Sequence, residues 1–395
     1  MPIPDDVTDG ADVLADGVSL KPGGLKTSPI GDIVTDDSPP EAEDGDKLSI
    51  LVIDIAGLSA DGNDVAVRRR KIVSEITHAY ETWGIFQIIN HGVSQQLVND
   101  VHKQAHEFFS LPPEIKERIR VETQELSESN NYHQQGFLRK PADPMNTSWR
   151  EDLAFSSSWN KSKGMIERAW LDMGASTVKT VHEYLKSMDD LDMKLLEILA
   201  KGLGLDSGFF LQNLCHVRTS EKPYYWQVNF HPPCQHTEQT IGIPPHSDPC
   251  ILTLLSQENV SGLQAMKGGR YMDVLPTPGA LVVNVGDLLE AWSNGRFQSA
   301  VHRVVVSTKQ ERVSWAFLMY PSHSVVVEAP KQLIDDEHPR LFKPLGHVTM
   351  LRELYEGVQA ALKSGDTCKP LPKVLFYELA RLNKSVEIDS ESRAN

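Results

Sequence analysis

Apolar and polar positions change their spacing at about residue 222, and the change predicts two kinds of structure. Before this point apolar residues recur at helical spacing, as in Val67–Trp83, where Ile72, Ile76 and Tyr80 form one stripe. After it, short runs rich in β-branched and aromatic residues alternate with turns. The pattern therefore predicts helices in the first half of the chain and many short strands in the second.

The pattern also places the individual elements. The predicted helices are Val67–Trp83, Ser94–Phe109 with Ser94 as N-cap, a short helix from Pro112 to about Arg120, Met165–Leu203, Leu351–Leu362 and Leu371–Leu382. The predicted strands are Leu51–Ile55, Ile85–Ile89, Tyr225–His231, Ile251–Leu255, Gly262–Met266, Tyr271–Leu275, Ala280–Val285, Val301–Ser307 and Val313–Tyr320, with a hairpin turn at Lys267–Arg270. Residues 122–148 are predicted to be irregular. Many short, evenly spaced strands indicate a sandwich or barrel, so we expect a mixed α and β fold with helices around a β core.

The acidic residues are concentrated near the N-terminal end of the chain. The 395 residues carry a formal net charge of −15. Residues 1–47 hold twelve acidic residues and three lysines, a net charge of −9, and contain no aromatic side chain. Such a segment buries too little apolar surface to offset ordering, so we predict a disordered acidic leader. The acidic balance also argues against nucleic acid or an anionic membrane as a partner.

The remaining composition is that of an ordinary globular protein. No apolar run is long enough to span a membrane, and no signal segment is visible at the N-terminus. The four cysteines show no CxxC pairing. These features predict a cytoplasmic protein without a disulfide framework or a thiolate zinc site.

The first candidate chemistry is a metal site built from two histidines and one carboxylate. His246 and Asp248 are two residues apart, so in an extended chain their side chains project to the same side. His302 precedes another predicted strand and is a candidate third ligand. Two His and one carboxylate on one face of a metal leave the other positions open, as in non-haem Fe(II) oxygenases. Each residue alone also fits a surface turn or a core histidine.

A second candidate lies ten residues after His302. Arg312 and Ser314 are again two residues apart, at the start of the predicted strand Val313–Tyr320. A guanidinium beside a hydroxyl is suited to clamp a carboxylate. A dicarboxylate co-substrate would chelate iron at one end and meet Arg312 at the other. Alone, R-x-S is common and is typical of a surface pair.

The chain resembles the plant-type iron(II)/2-oxoglutarate-dependent dioxygenases, the group that includes isopenicillin N synthase. The resemblance extends from about residue 48 to residue 382. Its motifs are Trp83–Val93, Asn229–Cys234, His246–Leu255, Gly262–Gln264, Gly279–Leu289, Ser293–Phe297 and His302–Val304. Their combination in this order is highly specific.

The resemblance implies a fold, a ligand set and a division of the chain. The fold is a distorted double-stranded β-helix, or jelly roll, with supporting helices. Iron is expected on His246, Asp248 and His302, and the distal carboxylate of 2-oxoglutarate on Arg312 and Ser314. The expected regions are a leader at 1–47, an N-terminal oxygenase region at 48–160, a helical segment at 161–222, a catalytic core at 223–330 and C-terminal helices with a tail at 331–395.

Two positions depart from the family pattern. The family usually has N-x-Y where this chain has Asn229-Phe230-His231, and that tyrosine normally donates to the distal carboxylate. Because histidine also donates, we expect His231 to take this role and Asn229 to keep its own place near 2-oxoglutarate. A tryptophan common after the Gly-Leu-Gln block is replaced by Tyr271, which we expect to serve packing only.

The substrate is less constrained. The resemblance places pocket residues at Phe137, Leu318 and Tyr320, which suit a mostly hydrophobic polycyclic molecule, although core packing explains each as well. Trp149–Phe155 and His246–Pro249 are similar to gibberellin 20-oxidases, which favours a gibberellin-type diterpenoid; the alternative is a flavonoid. Lys161, Lys163 and Arg139 are candidates for a substrate carboxylate, and the spacing selects none of them.

We therefore expect a monomeric enzyme that hydroxylates or desaturates a small molecule. It would use Fe(II), O₂ and 2-oxoglutarate, with ascorbate as reductant, and release succinate and CO₂. Two other classes stay open, namely an oxygenase of the same fold that does not use 2-oxoglutarate, and a catalytically silent binding protein. Cys250, two residues from Asp248, is either a small buried apolar residue or an oxidation-sensitive thiol.

Overall fold

The computed structural model describes residues 50–58, 63–119, 136–140, 149–156, 170, 173–214, 224–235, 237, 240–322 and 324–346. The predicted leader and the two helices predicted after residue 350 lie outside these residues. No described helix is long and apolar enough to cross a membrane.

Two sheets form the core of the described residues. Their strands are β1 Val52–Asp54, β2 Ile85–Ile89, β3 Gly136–Lys140, β4 Arg150–Ser156, β5 Tyr224–His231, β6 Ile241–His246, β7 Leu252–Gln257, β8 Leu263–Lys267, β9 Arg270–Asp273, β10 Leu281–Val285, β11 His302–Val305 and β12 Arg312–Met319. The large sheet has the order β1-β2-β10-β7-β12-β5-β4-β3, and the small sheet has the order β6-β11-β8-β9. A separate pair joins β13 Val326–Val327 to β14 Leu345–Gly346. Apart from the parallel pair β1 and β2, neighbouring strands are antiparallel, and the two sheets form a jelly-roll core, as predicted.

Helices cover the large sheet. They are α1 Asn63–Thr82, α2 Gln95–Phe109, α3 Pro113–Glu117, α4 Ala175–Gly202, α5 Phe209–Asn213 and α6 Asp287–Trp292, with a 3₁₀ turn at Lys331–Leu333. The predicted N-cap of α2 is confirmed, because Ser94 Oγ accepts a hydrogen bond from the backbone N–H of Leu97. The predicted hairpin turn is also confirmed: Gly268 and Gly269 both have positive φ, which a tight turn between β8 and β9 requires.

Three strands of the two core sheets, and the separate pair β13 and β14, were absent from the sequence prediction. β3 lies in the segment predicted to be irregular, and β4 follows it. They form because Phe137 pairs with Leu153 and β4 pairs with β5, so tertiary pairing overrides weak local preference. β6 contains Pro244 and Pro245, which disfavour a central strand; the strand forms at the edge of the small sheet, where a missing N–H needs no partner.

Alternation along β12 separates the two faces of the large sheet. Trp315 faces the helices, where its ring stacks on Trp170 at 5.9 Å and meets Tyr184 of α4 at 5.6 Å between ring centroids. Arg312 and Ser314, on the other side of the strand, face the interior between the sheets. Apolar packing on one face therefore fixes which side chains the interior receives.

Candidate active site

Three side chains from separate segments converge between the sheets. His246 ends β6 and His302 begins β11, and the two residues are directly paired. Asp248 lies in the turn that leads to β7. Its Oδ1 is 3.7 Å from Nε2 of each histidine, and the three ligand atoms lie within 4.8 Å of one another. The structure thus brings together the three residues that the sequence predicted as metal ligands.

Hydrogen bonds orient both imidazoles toward this point. Nδ1 of His246 is 2.9 Å from the carbonyl oxygen of Pro244, and Nδ1 of His302 is 3.0 Å from that of Ala300. A carbonyl only accepts, so each Nδ1 carries the proton and each Nε2 presents a lone pair. Burial, with the neighbouring His302, lowers the pKa of His246 to about 4, so its ring is neutral at neutral pH.

The two carboxylate oxygens of Asp248 make different contacts. Its Oδ2 accepts hydrogen bonds from Thr253 Oγ1 and Asn284 Nδ2, both at 2.7 Å. Burial opposes ionisation, but the two histidines and these hydrogen bonds still bring the pKa of Asp248 below its ordinary value. Oδ2 is therefore engaged by the large sheet, while Oδ1 faces the histidines. This set of two imidazoles and one carboxylate fits the facial ligation of Fe(II).

Arg312 is buried with an unusual set of partners. It is 2% exposed; its Nη1 donates to Ser314 Oγ at 3.1 Å and its Nη2 to Gln257 Oε1 at 3.0 Å. Among the described residues its Nε has no hydrogen-bond partner. Burial lowers the pKa of Arg312 to about 10, so it remains protonated at neutral pH. A buried cation held by neutral groups is suited to an anionic ligand.

The next strand supplies the other predicted ligands of 2-oxoglutarate. Asn229 pairs with Ser314, and His231 pairs with Arg312, so all four share one face. Both ring nitrogens of His231 are buried and neither makes a hydrogen bond of good geometry with a described residue, although the backbone of Arg312 lies close to the ring. Burial, followed by the charge of Arg312, holds the pKa of His231 well below its usual range. The ring is therefore neutral, with one N–H to donate. Unpartnered nitrogens on neighbouring side chains fit an oxygen-rich anion such as 2-oxoglutarate.

The three predicted pocket residues do not lie together. Leu318 and Tyr320 continue the inward side of β12, and Asp248 contributes to the raised pKa of Tyr320, after burial and Cys250, so its phenol lies near the metal site. Phe137 is 1% exposed, pairs with Leu153 on the outward side of the large sheet and meets Phe108 of α2 at 6.2 Å between ring centroids. This placement favours core packing for Phe137.

The structure also places the remaining candidates. Cys250 is fully buried, with Sγ 3.2 Å from Thr253 Oγ1, and burial raises the pKa of its thiol, which favours the packing interpretation. Tyr271 lies beneath the guanidinium of Arg303, 3.7 Å from ring centroid to Cζ. Lys161, Lys163 and the side chain of Arg139 lie outside the described part of the structure.

Two interior features were missed by the sequence analysis. Gln257 contacts Arg312 directly, and Arg150 forms a buried ion pair with Asp152, with Nε–Oδ distances of 2.7 and 2.8 Å. The charge of Arg150 lowers the pKa values of His231 and His246, although burial is the larger cause in both. Arg150 and Asp152 have the same two-residue spacing as the predicted motifs, but the strand β4 that carries them was not predicted. Gln257 is brought to Arg312 only by the pairing of β7 with β12.

Comparisons with known proteins agree with this geometry. Residues 223–321 match the model of the 2OG-Fe(II) oxygenase superfamily, and residues 50–172 match that of the non-haem dioxygenase in morphine synthesis N-terminal family. Gibberellin 20 oxidase 1 of Oryza sativa subsp. japonica is 32% identical over 307 residues, which cover 75% of this chain and 78% of the relative. Flavanone 3-dioxygenase 2 of the same organism is 32% identical over 278 residues, covering 70% and 77%.

A solved structure supports the fold. The crystal structure of JOX2 in complex with 2OG, Fe and JA superposes with a TM-score of 0.64 at 25% identity, covering 76% of this chain and 83% of that one. The family models, the relatives and the fold therefore agree with one another. The chain belongs to the 2OG-Fe(II) oxygenase superfamily and is a 2-oxoglutarate-dependent dioxygenase of the plant type.

Proposed function

We propose that His246, Asp248 and His302 hold the Fe(II), and that Arg312 and Ser314 hold the distal carboxylate of 2-oxoglutarate. One observation carries the proposal: three converging metal-ligand atoms share an interior with a buried arginine that has no carboxylate partner among the described residues. Asn229 and His231 complete the second group. Each histidine ligand keeps its Nδ1 proton on a backbone carbonyl, so neither ring needs to reorient.

The bound iron supplies the oxidation of a substrate C–H bond coupled to decarboxylation of 2-oxoglutarate to succinate and CO₂. The chain's own contribution is to position the reactants and exclude water. Arg312 neutralises the distal carboxylate away from solvent, and His231 donates its single N–H to the same group. Thr253 and Asn284 keep the carboxylate of Asp248 from rotating.

For the substrate we propose a mostly hydrophobic small molecule, with a gibberellin-type diterpenoid favoured. Leu318 and the phenol of Tyr320 offer an apolar wall with one polar tip on the inward side of β12. The 32% identity to a gibberellin 20 oxidase supports this choice. A flavonoid is the second candidate, because the flavanone 3-dioxygenase is equally identical over a similar length.

Hydroxylation and desaturation are both consistent with this site. We also propose that ascorbate maintains the reduced iron, that the enzyme acts as a monomer, and that it works in a reducing, cytoplasmic environment. Cys234 and Cys250, the two described cysteines, are buried and free, which supports such an environment.

The decisive experiment incubates the protein with Fe(II), ascorbate, 2-oxoglutarate and a panel of gibberellin precursors and flavonoids. Products are identified by mass spectrometry, and succinate is quantified in the same samples. Product with equimolar succinate supports the proposal. Product without succinate would indicate an oxygenase that does not use 2-oxoglutarate, and tight substrate binding without turnover would indicate a binding protein.

A ligand substitution tests the metal assignment. Asp248→Ala removes the carboxylate that both Nε2 atoms face at 3.7 Å, so we expect loss of turnover and of the weak visible band formed anaerobically with Fe(II) and 2-oxoglutarate. Asp335→Ala, which removes a surface carboxylate far along the chain, is the control and should retain both. Turnover retained in Asp248→Ala would refute the metal assignment.

A further inference from the structure

The guanidinium of Arg312 is held by two neutral oxygens, and one of them comes from a side chain without an assigned role. Gln257, at the end of β7, accepts from Nη2 of Arg312 at 3.0 Å. Ser314 accepts from Nη1 at 3.1 Å. The two acceptors pair directly across neighbouring strands, Ser314 with Gln257, and therefore flank the guanidinium together.

Gln257 is itself fixed in orientation. Its Nε2 donates to the carbonyl oxygen of Val274 at 3.3 Å, which leaves Oε1 directed at Arg312. An amide with its nitrogen on a backbone carbonyl cannot flip without losing both hydrogen bonds. The long side chain of Arg312 also runs past Gly262, where a Cβ would lie 3.2 Å from Arg312 Cδ. The guanidinium is thus restricted on two sides.

The neutrality of the Gln257 amide matters as much as its position. A glutamate at this place would be nearly isosteric and would pair with Arg312 as an ion pair. Glu258, the acidic residue next to Gln257, makes its close contact with α2, because its carboxylate lies 2.9 Å from Nε2 of His106. It acts on Arg312 only at a distance, where its charge partly offsets the lowering of the Arg312 pKa by burial. Arg312 makes no ion pair with any described residue, so its charge stays available to a ligand.

We propose that Gln257 is a positioning residue for 2-oxoglutarate, which orients Arg312 and keeps its guanidinium free of a direct ion-pair partner. This inference rests on the proposed role of Arg312. The neutral acceptor satisfies one N–H of a buried guanidinium without competing with the incoming carboxylate. The guanidinium of Arg312 therefore stays available to an anionic ligand and is not neutralised by a carboxylate of the chain itself.

The test uses two substitutions of Gln257 and a matched control. Gln257→Glu introduces an internal carboxylate, and Gln257→Met keeps the length while removing the acceptor. Gln264→Glu is the control, because Gln264 Oε1 accepts from Nε of Arg303 at 2.8 Å in the small sheet, so the same Gln–Arg contact is altered away from Arg312. Binding of 2-oxoglutarate to the Mn(II)-loaded full-length protein is measured by calorimetry, and the dissociation constant for Mn(II) is measured separately.

We expect Gln257→Glu to weaken 2-oxoglutarate binding at least about tenfold, since a charged hydrogen bond is lost to an internal competitor. Gln257→Met should weaken it severalfold, and Gln264→Glu should not change it. In turnover assays the KM for 2-oxoglutarate should rise while kcat at saturation and Mn(II) affinity stay near the wild-type values. A merely structural role would lower kcat or metal affinity as well.

Three results would overturn the inference. They are unchanged 2-oxoglutarate affinity in both Gln257 variants, an equal loss in Gln264→Glu, and a loss of affinity that follows a loss of Mn(II) binding. Failure of the proposed function is separable, because it would appear as unchanged affinity in Arg312→Gln. Loss of affinity in Arg312→Gln with none in either Gln257 variant would reject only the role of Gln257.

Discussion

The imidazole of His231 needs space that a single glycine provides. Gly242 of β6 faces the imidazole, and a Cβ at this position would lie 2.6 Å from Cδ2 of His231 and 3.1 Å from the carbonyl oxygen of Val304. The first distance is shorter than real contacts allow. Gly242 on the small sheet therefore leaves the space that the imidazole of His231 occupies.

Gly242→Ala should disturb both packing and co-substrate binding. The added methyl forces His231 or β11 to move, which we expect to cost about 1–3 kcal/mol of unfolding free energy. Because the displaced imidazole no longer meets the distal carboxylate, 2-oxoglutarate affinity should also fall. Denaturant unfolding and calorimetry measure the two effects.

The control for this substitution is Gly268→Asn in the β8–β9 turn. No atom lies within 4 Å of a Cβ there, and asparagine tolerates its φ of +56°. This variant should keep its 2-oxoglutarate affinity. If Gly242→Ala binds 2-oxoglutarate as the wild type does, the proposed contact of His231 with the co-substrate is wrong.

At the scale of elements, α2 packs a neutral histidine against the large sheet. His102 is 5% exposed, and its Nε2 is 2.8 Å from Ser256 Oγ of β7. Burial, followed by the charges of His106 and Arg312, lowers the pKa of His102 to about 3. The carboxylate of Glu258 lies 3.8 Å from Nδ1 of His102 and favours its protonation, but burial outweighs this contact. The same carboxylate pairs with His106, which also pairs with Glu311.

The docking of α2 should therefore depend on pH. The folded pKa of His102 lies below the ordinary value of 6.5, so the unfolded chain binds this proton first as pH falls. The stability contributed by the neutral ring is complete above pH 6.5 and is lost as pH falls toward 3, by at most about 1.4 kcal/mol per pH unit. His102→Gln, which can still bond Ser256, should flatten this dependence in denaturant unfolding between pH 7 and 4.5.

The comparison variant is His182→Gln, which removes an exposed histidine on α4. Its pH dependence should follow the wild type. Equal slopes for His102→Gln and the wild type would mean that His102 takes up its proton at the same pH in the folded and unfolded states, contrary to the pKa that burial lowers.

Sequence patterns located elements and site residues with different success, for physical reasons. The paired motifs His246/Asp248 and Arg312/Ser314 were visible because residues two apart share one side of an extended chain. Gln257 was not, because its contact with Arg312 depends on the register of β7 and β12. The Arg150/Asp152 pair has the two-residue spacing, but it was not found because its strand β4 was not predicted. β6 was missed for a related reason: its two prolines are acceptable only at a sheet edge, which local sequence does not specify.

At the scale of the whole molecule, the metal site joins the two sheets of the core. His246 and His302 belong to the small sheet, whereas Asp248 is hydrogen-bonded by Thr253 of β7 and Asn284 of β10 in the large sheet. An ion held by all three ligands would connect the sheets through the carboxylate. Metal binding should then stabilise the core as a unit and not only the turn that carries Asp248.

We therefore expect Mn(II), added with 2-oxoglutarate, to raise Tm. At 100 times its dissociation constant a ligand stabilises the folded state by about 2.7 kcal/mol, which corresponds to roughly 4 °C for a unit the size of Ser49–Asn395. Thr253→Val keeps all three ligands but removes one hydrogen bond to Asp248 Oδ2, so metal binding should raise the Tm of this variant by less. Asp248→Ala should show no rise in Tm, and Ca(II), which prefers oxygen ligands, should have little effect on the wild type.

Hydrogen exchange tests the link between the sheets directly. On metal binding, exchange should slow in β7 and β10 as well as in β6 and β11. Protection limited to the small sheet would contradict a link between the sheets.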